Sequence, residues 1–391
     1  MKIAVIGQGY VGLPIALAAA NAGHTVTGID QNVEVIKNLN AGFSHVGDIR
    51  NEKVKSAINS RLYAAESNFD NISNVDLVVV CVPTPLSQFL EPDLSYLESA
   101  VHSISQNMSE NTLIIVESTV SPGTTRSVVA PILEKSKIKY DLAYSPERID
   151  PANTKWAIEN TPKLVAGITE NATRRATDFY RTFVNEVIIG SSVEVIETAK
   201  LLENSFRLIN ISFINEIAEF CWRIKIDVRE VISAASTKPY GFMTFYPSVG
   251  VGGHCIPVDP SYLSSKANEI GASTSFIDLA NKINRSLPTY FTGVATGILG
   301  SLKGKKILVV GVAYKPNVSD VRETPSLGLI QELRSAGAEV SWHDELVQDW
   351  MGEKSASLRG DFDLAILANP HTGTDLSQLG SVPILDTRGG Y

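Results

Sequence analysis

The segment VGVGGHCIPVDP, residues 249–260, places a cysteine in a loop rich in glycine and proline. Two glycines precede Cys255 and would let a substrate or cofactor ring approach the backbone closely. Most lone cysteines are small, inert hydrophobic residues, and we interpret Cys81 and Cys221 in that way. For Cys255 the loop composition favours a thiol that forms a covalent intermediate. Because no CxxC or HxxH partner accompanies His254 and Cys255, the sequence predicts no metal site.

Polar residues elsewhere have two interpretations each. Asp259 precedes Pro260, a pairing typical of a helix start, and this capping role is compatible with a catalytic one. Lys200, Asn204 and Arg207 lie at positions i, i+4 and i+7 of a helical segment, so they share one face. That face is either solvated or a polar row aimed into a cleft, where Lys200 supplies a proton or stabilises an oxyanion.

Three more candidates follow predicted strands. Thr84 lies in CVPTP, Thr119 in ESTVSPGT and Glu147 in YSPERID, each just after an apolar run. Open α/β sheets bind ligands beyond the carboxyl ends of their strands, which makes these positions candidates for ligand contacts. Glu147 there could position water.

Gly7, Gly9 and Gly12 form a G-x-G-x-x-G motif between an apolar strand and a helix, and Asp30 follows the next strand. In this context the motif predicts a dinucleotide site, with the pyrophosphate at the helix N-terminus. Asp30 would accept hydrogen bonds from the ribose hydroxyls and repel a 2′-phosphate, so we expect NAD and not NADP.

Strands and helices alternate up to about residue 190, as in a doubly wound α/β domain. The predicted strands are residues 2–6, 25–29, 77–82, 113–117, 142–144, 164–166 and 187–189. In the region from about 193 to 235, the segment VEVIETAKLLENSFRLINISFINEIAEFCWRIK has apolar positions at helical spacing and no glycine or proline for some thirty residues. Such a helix is too long for a small domain to cover and should pack on other elements or on a second subunit. Residues 275–299 are again helical, with Pro288 as a kink or break.

A third region repeats the first, since KILVVG at 306–311 matches KIAVIG at the N-terminus. It lacks the second and third glycines of the motif but carries Lys315 and Arg322. These side chains suit an anionic ligand such as a UDP group, although a solvated charged loop is the other interpretation. We therefore expect two Rossmann-like doubly wound domains joined by a long-helix spacer. The expected domains are 1–190 for the dinucleotide, 191–300 for a central helical region with the cysteine loop, and 301–391 for an anionic ligand.

Composition limits the remaining classes. The 391 residues have a formal net charge of −8 and scattered Lys and Arg, so we expect no nucleic-acid partner. No uncharged stretch reaches membrane-spanning length, and the N-terminus lacks the apolar region of a signal peptide. Three cysteines do not form a disulfide framework, which favours a reducing compartment, and we expect a cytoplasmic protein.

Taken together, these segments closely resemble the UDP-glucose/GDP-mannose dehydrogenase family over essentially the whole chain. The motifs that carry the resemblance are GQGYVGLPIALAAA, CVPTP, ESTVSPGTT, SPER, AKLLENSFR, GVGGHCIPVDP, GVAYKPNVSDVRETP and LDTR, all in family order. The resemblance implies an NAD-dependent, four-electron oxidation of a UDP-sugar C6 hydroxyl to a carboxylate in a homodimer. It implies an aldehyde, then a thiohemiacetal and a thioester on the cysteine, and finally hydrolysis.

The same resemblance implies residue roles. Cys255 is similar to the family nucleophile, Lys200 to its general acid or oxyanion stabiliser and Asn204 to a sugar contact. Asp259 and Glu147 are similar to the groups that help deprotonate the thiol and activate or position water, which Thr119 holds. The implied NAD contacts are Gly7, Gly9, Tyr10, Val11, Gly12, Asp30, Thr84, Thr119 and Arg322. The implied substrate contacts are Glu147, Arg148, Lys200, Asn204, Arg207, Gly252, Lys315 and Arg388.

Departures from the UDP-glucose type concern the sugar. Pro151 replaces a second glutamate, His254 replaces a serine and Val258 replaces a lysine. With KPYGFMTFYP and GFSHVGDI, these features resemble the UDP-N-acetylhexosamine 6-dehydrogenases, particularly the N-acetylglucosamine type. The mannosamine type tends to carry basic residues where Tyr240 and Gly241 stand. UDP-glucose and UDP-N-acetylmannosamine remain alternative substrates, and a two-electron β-hydroxyacid dehydrogenase or a nucleotide-sensing binding protein are alternative classes.

Overall fold

A computed structural model describes residues 1–47, 49–87, 91–150, 153, 155–253 and 255–389. The chain divides into two compact units. The first unit comprises 1–202 and 261–270, and the second comprises 203–260 and 271–391.

The first unit is built on an eight-stranded sheet with the order β3-β2-β1-β4-β5-β6-β7-β8. Its strands are β1 Lys2–Ile6, β2 Thr25–Ile29, β3 Tyr63–Glu66, β4 Leu77–Val80, β5 Leu113–Val116, β6 Asp141–Tyr144, β7 Lys163–Gly167 and β8 Val187–Ile189. The strands β1 to β6 are parallel to one another, whereas β7 runs antiparallel to β6. The central strands β4 and β5 are fully buried runs of Leu, Val and Ile, as a sheet covered on both faces requires. The seven predicted strands are confirmed, and β3 is additional.

Helices cover both faces of this sheet. They are α1 Gly12–Asn21, α2 Val33–Asn40, α3 Asn51–Asn59, α4 Ser95–Asn107, α5 Ala130–Glu134 and α6 Glu170–Tyr180. Leu13 and Phe179 belong to the core on one face, while Val101 and Leu133 belong to the core on the other. Both cores contain residues of the same strands, so the unit is doubly wound.

The long helical region contains two helices and not one. α7 spans Val193–Arg223 and α8 spans Val228–Ser236. The predicted helix of some thirty residues is confirmed as α7. After it Lys225 adopts a left-handed conformation with φ 58°, and the Asp227 side chain caps α8 by accepting from the Arg229 N–H. α9 spans Asp259–Glu269.

α10 spans Ser275–Leu299 and is continuous through Pro288, so the break considered there is absent. Proline inside a helix removes one backbone hydrogen bond, and the flanking turns carry the helix across that position.

The second unit contains a parallel four-stranded sheet with the order β10-β9-β13-β14. Its strands are β9 Lys306–Val310, β10 Glu339–His343, β13 Leu364–Leu367 and β14 Ile384–Asp386, beside a small hairpin of β11 Asp349–Trp350 and β12 Glu353–Lys354. α11 Pro325–Ser335 connects β9 with β10. Gly311 after β9 has φ 82°, close to the 86° of Gly7 after β1, as the sequence repeat predicts. Two Rossmann-like folds and a long helix are therefore confirmed.

No helix within the described ranges combines the length and apolar character needed to cross a bilayer.

Candidate active site

The glycine motif forms a cradle whose three glycines have different surroundings. A Cβ atom on Gly7 would lie 2.5 Å from the Cys81 carbonyl oxygen, and one on Gly12 would lie 1.8 Å from the Gly7 carbonyl oxygen. Gly9 has no such neighbour within 4 Å. The first and third glycines are thus required by the protein's own packing, while the second leaves open space beside the N-terminus of α1. This arrangement fits the pyrophosphate of NAD.

Asp30 directly follows β2, as predicted, and its carboxylate is held by the loop. Oδ2 accepts from the Gln8 N–H at 2.8 Å and Oδ1 accepts from the Asn32 N–H at 2.9 Å. The side chain is half-buried, so it retains solvent-facing lone pairs for a ribose. Tyr10 and Val11, at the start of α1, are also half-buried.

Gln8 was not singled out from the sequence, although it lies between the motif glycines. Its buried amide donates to the Val5 carbonyl at 2.7 Å and accepts from the Tyr63 hydroxyl at 2.8 Å. It thereby ties the dinucleotide loop to the neighbouring strands β1 and β3.

Thr84 and Thr119 are brought together by the ends of β4 and β5. The Thr84 hydroxyl donates to the Thr119 carbonyl at 2.8 Å, and the Tyr262 hydroxyl donates to the Thr84 carbonyl at 2.8 Å. Both threonines are half-buried at the carboxyl edge of the sheet, where ligands bind in such folds.

Glu197 on α7 anchors the segment that follows Thr119, a role the sequence did not reveal. Its fully buried carboxylate accepts from the N–H groups of Gly123 and Thr125 at 2.6 and 2.9 Å. Burial raises the pKa of Glu197, and these hydrogen bonds act in the opposite direction.

Glu147 lies three residues beyond β6 and is buried. Burial raises the pKa of its carboxyl group, although the nearby charges of Lys200 and Lys163 and a hydrogen bond from the Ile149 N–H oppose that shift. A carboxylate with a raised pKa at the ligand edge is suited to proton transfer with water. The neighbouring Arg148 donates to the Pro162 carbonyl at 2.6 Å.

The first two residues of the polar row on α7, Lys200 and Asn204, are not exposed to solvent. Lys200 and Asn204 are 5% and 8% exposed, whereas Arg207 is exposed. Ionised and amide groups are seldom buried without specific partners, so burial favours the functional interpretation for Lys200 and Asn204.

The cysteine loop presents an exposed Cys255 on a fixed backbone. The Cys255 carbonyl accepts from the Asp259 N–H at 2.8 Å, and the buried Asp259 side chain accepts from the Asn204 amide at 2.5 Å. Asp259 is the first residue of α9, so it occupies the helix start and contacts Asn204 at the same time. Cys81 differs, because burial raises the pKa of its thiol well above the ordinary value.

The two glycines before the cysteine lie against other residues of the protein. A Cβ atom on Gly253 would lie 2.9 Å from the Tyr314 ring, and one on Gly252 would lie 2.6 Å from the Glu323 carbonyl oxygen. The Asn284 side chain also accepts from the Val251 N–H at 2.8 Å. The cysteine loop is thus packed on the loop that carries Lys315.

The predicted anion-binding residues are placed as follows. Lys315 is half-buried after β9. Arg322 is exposed and forms a two-pronged ion pair with Asp320, with distances of 2.8 and 2.5 Å. Arg388 forms a similar pair with Asp386 at 2.8 and 2.9 Å. Pro151 and His254, which bear on the sugar, lie outside the described residues.

A buried histidine that the sequence did not highlight fastens the Lys315 loop. His371 Nε2 donates to Asp344 Oδ1 at 2.7 Å, and its Nδ1 accepts from the Asn317 N–H at 2.8 Å. Asp344 occupies the position that corresponds to Asp30 in the repeat, but it is buried and accepts from four backbone N–H groups. This carboxylate is committed to the protein's own loops, so the second Rossmann-like fold does not repeat the ribose site.

Comparisons with known proteins agree with this architecture. Three models of the UDP-glucose/GDP-mannose dehydrogenase family match: the NAD binding domain at residues 1–184, the central domain at 194–286 and the UDP binding domain at 308–378. A UDP-N-acetyl-D-mannosamine dehydrogenase of Pyrococcus horikoshii is 32% identical over 381 residues, covering 95% of this chain and 90% of that protein.

Two further similarities bear on the sugar. A UDP-N-acetyl-D-glucosamine 6-dehydrogenase of Pseudomonas aeruginosa is 34% identical over 391 residues, covering 95% of this chain and 91% of that protein. The solved structure of a UDP-D-ManNAc dehydrogenase from Pyrococcus horikoshii aligns with a TM-score of 0.92 and 31% identity, over 99% of this chain and 95% of that one.

The chain belongs to the UDP-glucose/GDP-mannose dehydrogenase family. It is an NAD-dependent nucleotide-sugar dehydrogenase, an oxidoreductase, as the resemblance implied.

Proposed function

We propose that this protein oxidises the C6 hydroxyl of a UDP-N-acetylhexosamine to a carboxylate in two successive two-electron steps. The observation that carries the proposal is an exposed cysteine whose carbonyl anchors Asp259, while Asn204 holds the Asp259 carboxylate. A simple two-electron alcohol dehydrogenase needs no such thiol. We assign NAD binding to residues 1–190, the cysteine loop and dimerisation to 191–300, and UDP-sugar binding to 301–391.

The sugar we favour is UDP-N-acetylmannosamine, and UDP-N-acetylglucosamine is the second candidate. The sequence of the cysteine loop favours the glucosamine type, and a relative of that type is 34% identical. The mannosamine relative covers the chain to a similar extent, and the solved structure with a TM-score of 0.92 is also of the mannosamine type. The mannosamine relative and the solved structure share an organism and an activity, so together they count as one line of support for the mannosamine epimer.

The fixed groups around the glycine cradle are suited to the dinucleotide. Gly9 provides open space at the start of α1, and Asp30 has lone pairs for the ribose. We assign Tyr10, Val11, Thr84, Thr119 and Arg322 as further NAD contacts, as the family resemblance implies. NAD, when bound, supplies the hydride acceptor for each of the two oxidations.

The chain's own residues handle the protons and the carbon–sulfur bond. The C6 hydroxyl loses a hydride and a proton to become an aldehyde, with Lys200 stabilising the charge on its oxygen. The Cys255 sulfur, deprotonated with the help of Asp259, then bonds to C6, and the carbonyl oxygen takes up a proton from Lys200. The resulting thiohemiacetal loses its C6 hydrogen as a second hydride and returns its hydroxyl proton to Lys200, which yields a thioester.

Hydrolysis completes the cycle. Glu147 accepts a proton from water held by Thr119, and the water oxygen attacks C6. The carbon–sulfur bond breaks, the thiolate returns to Cys255 and the acid leaves. Asn204, Arg207, Gly252, Lys315, Arg148 and Arg388 are assigned to hold the UDP-sugar.

The test measures stoichiometry with purified full-length protein. We expect two NADH per UDP-N-acetylmannosamine or UDP-N-acetylglucosamine consumed, with a uronic acid product identified by mass spectrometry. Cys255→Ser should form no uronic acid, and the matched variant Cys221→Ser should retain the wild-type stoichiometry. One NADH per sugar, or full product formation by Cys255→Ser, would overturn the four-electron mechanism. NAD binding without turnover of any of the three UDP-sugars, UDP-glucose included, would favour a binding protein.

We further propose that the protein is a homodimer formed through α7. Phe206, Phe213 and Phe220 are spaced seven residues apart on this helix and are 44%, 56% and 57% exposed. Residues at this spacing share one helix face, and such an apolar row is typical of a helix-packing surface.

A further inference from the structure

A lysine and a glutamate form a buried ion pair at the ligand edge of the first sheet. Glu117 directly follows β5 and is 1% exposed, while Lys163 begins β7 and is 8% exposed. Lys163 Nζ lies 2.5 Å from Glu117 Oε2. Charged residues are rarely buried in this way, because desolvation costs several kcal/mol per ion. The pair therefore calls for an explanation beyond packing.

The topology explains how a strand's first residue reaches this edge. β7 runs antiparallel to β6, with Ala143 opposite Gly167 and Tyr144 opposite Ala166. The amino end of β7 therefore lies beside the carboxyl end of β6. Continuing the same register past the end of β6 places Lys163 opposite Glu147. One reversed strand thus delivers a cation to the edge where the parallel strands place their ligand-binding loops.

Three contacts fix the position of the Lys163 ammonium group. It donates to Glu117 and, at 2.9 Å, to the carbonyl of Pro146, the residue directly before Glu147. It also lies 5.1 Å from the centre of the Tyr180 ring. Tyr180 in turn donates through its hydroxyl to the other oxygen of Glu117. A surface lysine has none of these constraints.

The charges near Glu147 come from several elements. Lys200 on α7 and Lys163 on β7 favour the ionised form of Glu147, and Glu117 after β5 disfavours it. The half-buried Cys81 after β4 lies in the same region, and the charges of Glu117, Lys163 and Glu147 act on its pKa. Burial is the largest influence on the Glu147 pKa and raises it. A buried carboxyl in this setting needs a compensating cation to remain charged near neutral pH.

We propose that Lys163, fixed by Glu117 and Tyr180, is a positioning residue that holds the Pro146–Glu147 backbone and keeps the Glu147 carboxylate ionised for water activation. The proposal rests on the role of Glu147 in hydrolysis described above. Lys163 acts through Glu147 and contacts no substrate. Glu117 holds the lysine and opposes it electrostatically, so the two members of the pair influence Glu147 in opposite directions.

The opposite effects of Lys163 and Glu117 on Glu147 can be tested. A purely structural role of the pair would not shift the pH dependence in opposite directions. Lys163→Met removes a positive charge, so the pKa of Glu147 should rise and the acid limb of thioester hydrolysis should move to higher pH by about one unit or more. Glu117→Gln removes a negative charge, so the same limb should move to lower pH. Tyr180→Phe removes a hydrogen bond without changing charge and should leave the limb in place. Lys163→Arg should restore the wild-type limb in part.

Two measurements keep this inference separable from the proposed function. Infrared difference spectra across pH, with Glu147→Gln to assign the carboxyl band, report the ionisation of Glu147 whether or not a sugar is turned over. Rapid-quench mass spectrometry of the Cys255 acyl adduct reports hydrolysis with the UDP-N-acetylhexosamine that the wild type oxidises. If the wild type forms no adduct but the infrared midpoints move in opposite directions, the proposed function fails and the inference stands.

Equal midpoints in Lys163→Met and Glu117→Gln, or shifts of the same sign, would overturn the inference. Should Lys163→Met not fold because Glu117 is left unpaired, the double variant Lys163→Met/Glu117→Gln removes both charges. The midpoint of Glu147 ionisation in the double variant should lie between the wild-type midpoint and the midpoint expected for Lys163→Met. A double-variant midpoint below that of the wild type would contradict the proposed dominance of the lysine.

Discussion

The side-chain amide of Asn204 donates a hydrogen bond of 2.5 Å to the carboxylate of Asp259, across 55 positions of sequence. Both side chains are buried, and the Asp259 N–H donates to the carbonyl of Cys255. A buried carboxyl group without partners is costly, so the amide supplies a partner to the side chain whose backbone N–H bonds to the cysteine loop. The relationship links a residue of α7 to the proposed nucleophile through one intermediate residue.

We therefore expect Asn204→Ala to lower kcat by about 10²-fold, because Asp259 loses the partner that holds it as a base. Asp259→Asn should lower kcat by at least the same factor. The alkylation rate of Cys255 by iodoacetamide across pH should show a raised thiol midpoint in Asp259→Asn. The exposed Asp349→Asn on β11 is the matched control. Wild-type alkylation rates in Asp259→Asn would show that this carboxylate does not assist the thiol.

The glycine cradle predicts different outcomes for two neighbouring substitutions. Gly12→Ala should destabilise the protein and abolish NAD binding, because the new Cβ would lie 1.8 Å from the Gly7 carbonyl oxygen. Gly9→Ala meets nothing within 4 Å, so the melting temperature should stay near that of the wild type. Its methyl group would occupy the space proposed for the pyrophosphate, and NAD affinity should fall about tenfold or more. Thermal unfolding and calorimetric titration with NAD measure the two effects, and unchanged affinity in Gly9→Ala would argue against that location.

The strands and the glycine motif could be predicted from the sequence because their signals are local. β4 and β5 are uninterrupted apolar runs, and Gly7 lies where a strand must turn. The turn at Lys225 contains no glycine or proline, and the Asp227 cap marks the start of the helix that follows it. β3 reads YAAE, which has little β-branched content, and its pairing with β2 defines it.

Site residues could be predicted where the residue type and its neighbours in sequence indicate the chemistry. They could not be predicted where the chemistry depends on a contact between residues that are distant in sequence. Cys255 and Asp30 could be singled out from their neighbours in sequence. The contacts of Glu197 with Gly123, or of Lys163 with Glu117, join residues 74 and 46 positions apart. No local pattern encodes such partners, since the sheet order determines which loops meet. The role of Gly253 was likewise hidden, because its neighbour Tyr314 belongs to a distant loop.

The hydrogen bonds that His371 forms with Asp344 and with the Asn317 N–H predict a coupling between protein stability and UDP binding. His371→Ala removes one hydrogen bond to the buried Asp344 carboxylate, which keeps its four backbone donors, and one from the exposed Asn317 N–H. We expect the free energy of unfolding to fall by about 1–3 kcal/mol and UDP affinity to weaken, because the Lys315 loop loses its fastening. Urea unfolding and calorimetric titration with UDP test this. The exposed His102→Ala on α4 is the control, and equal UDP affinity in both variants would separate these hydrogen bonds from ligand binding.

The apolar row on α7 predicts that one charge will disrupt the proposed dimer. Phe213 is the middle residue of three phenylalanines at seven-residue spacing and is 56% exposed in the single chain. Phe213→Glu would bury an unpaired carboxylate in a helix-packing surface, so the dimer dissociation constant should rise by roughly 30-fold or more. Light scattering over a dilution series measures the mass, with Tyr96→Glu on α4, 51% exposed, as the matched substitution. If Phe213→Glu and the wild type have the same mass at every concentration, α7 is not the dimer surface, and the row must be covered in another way.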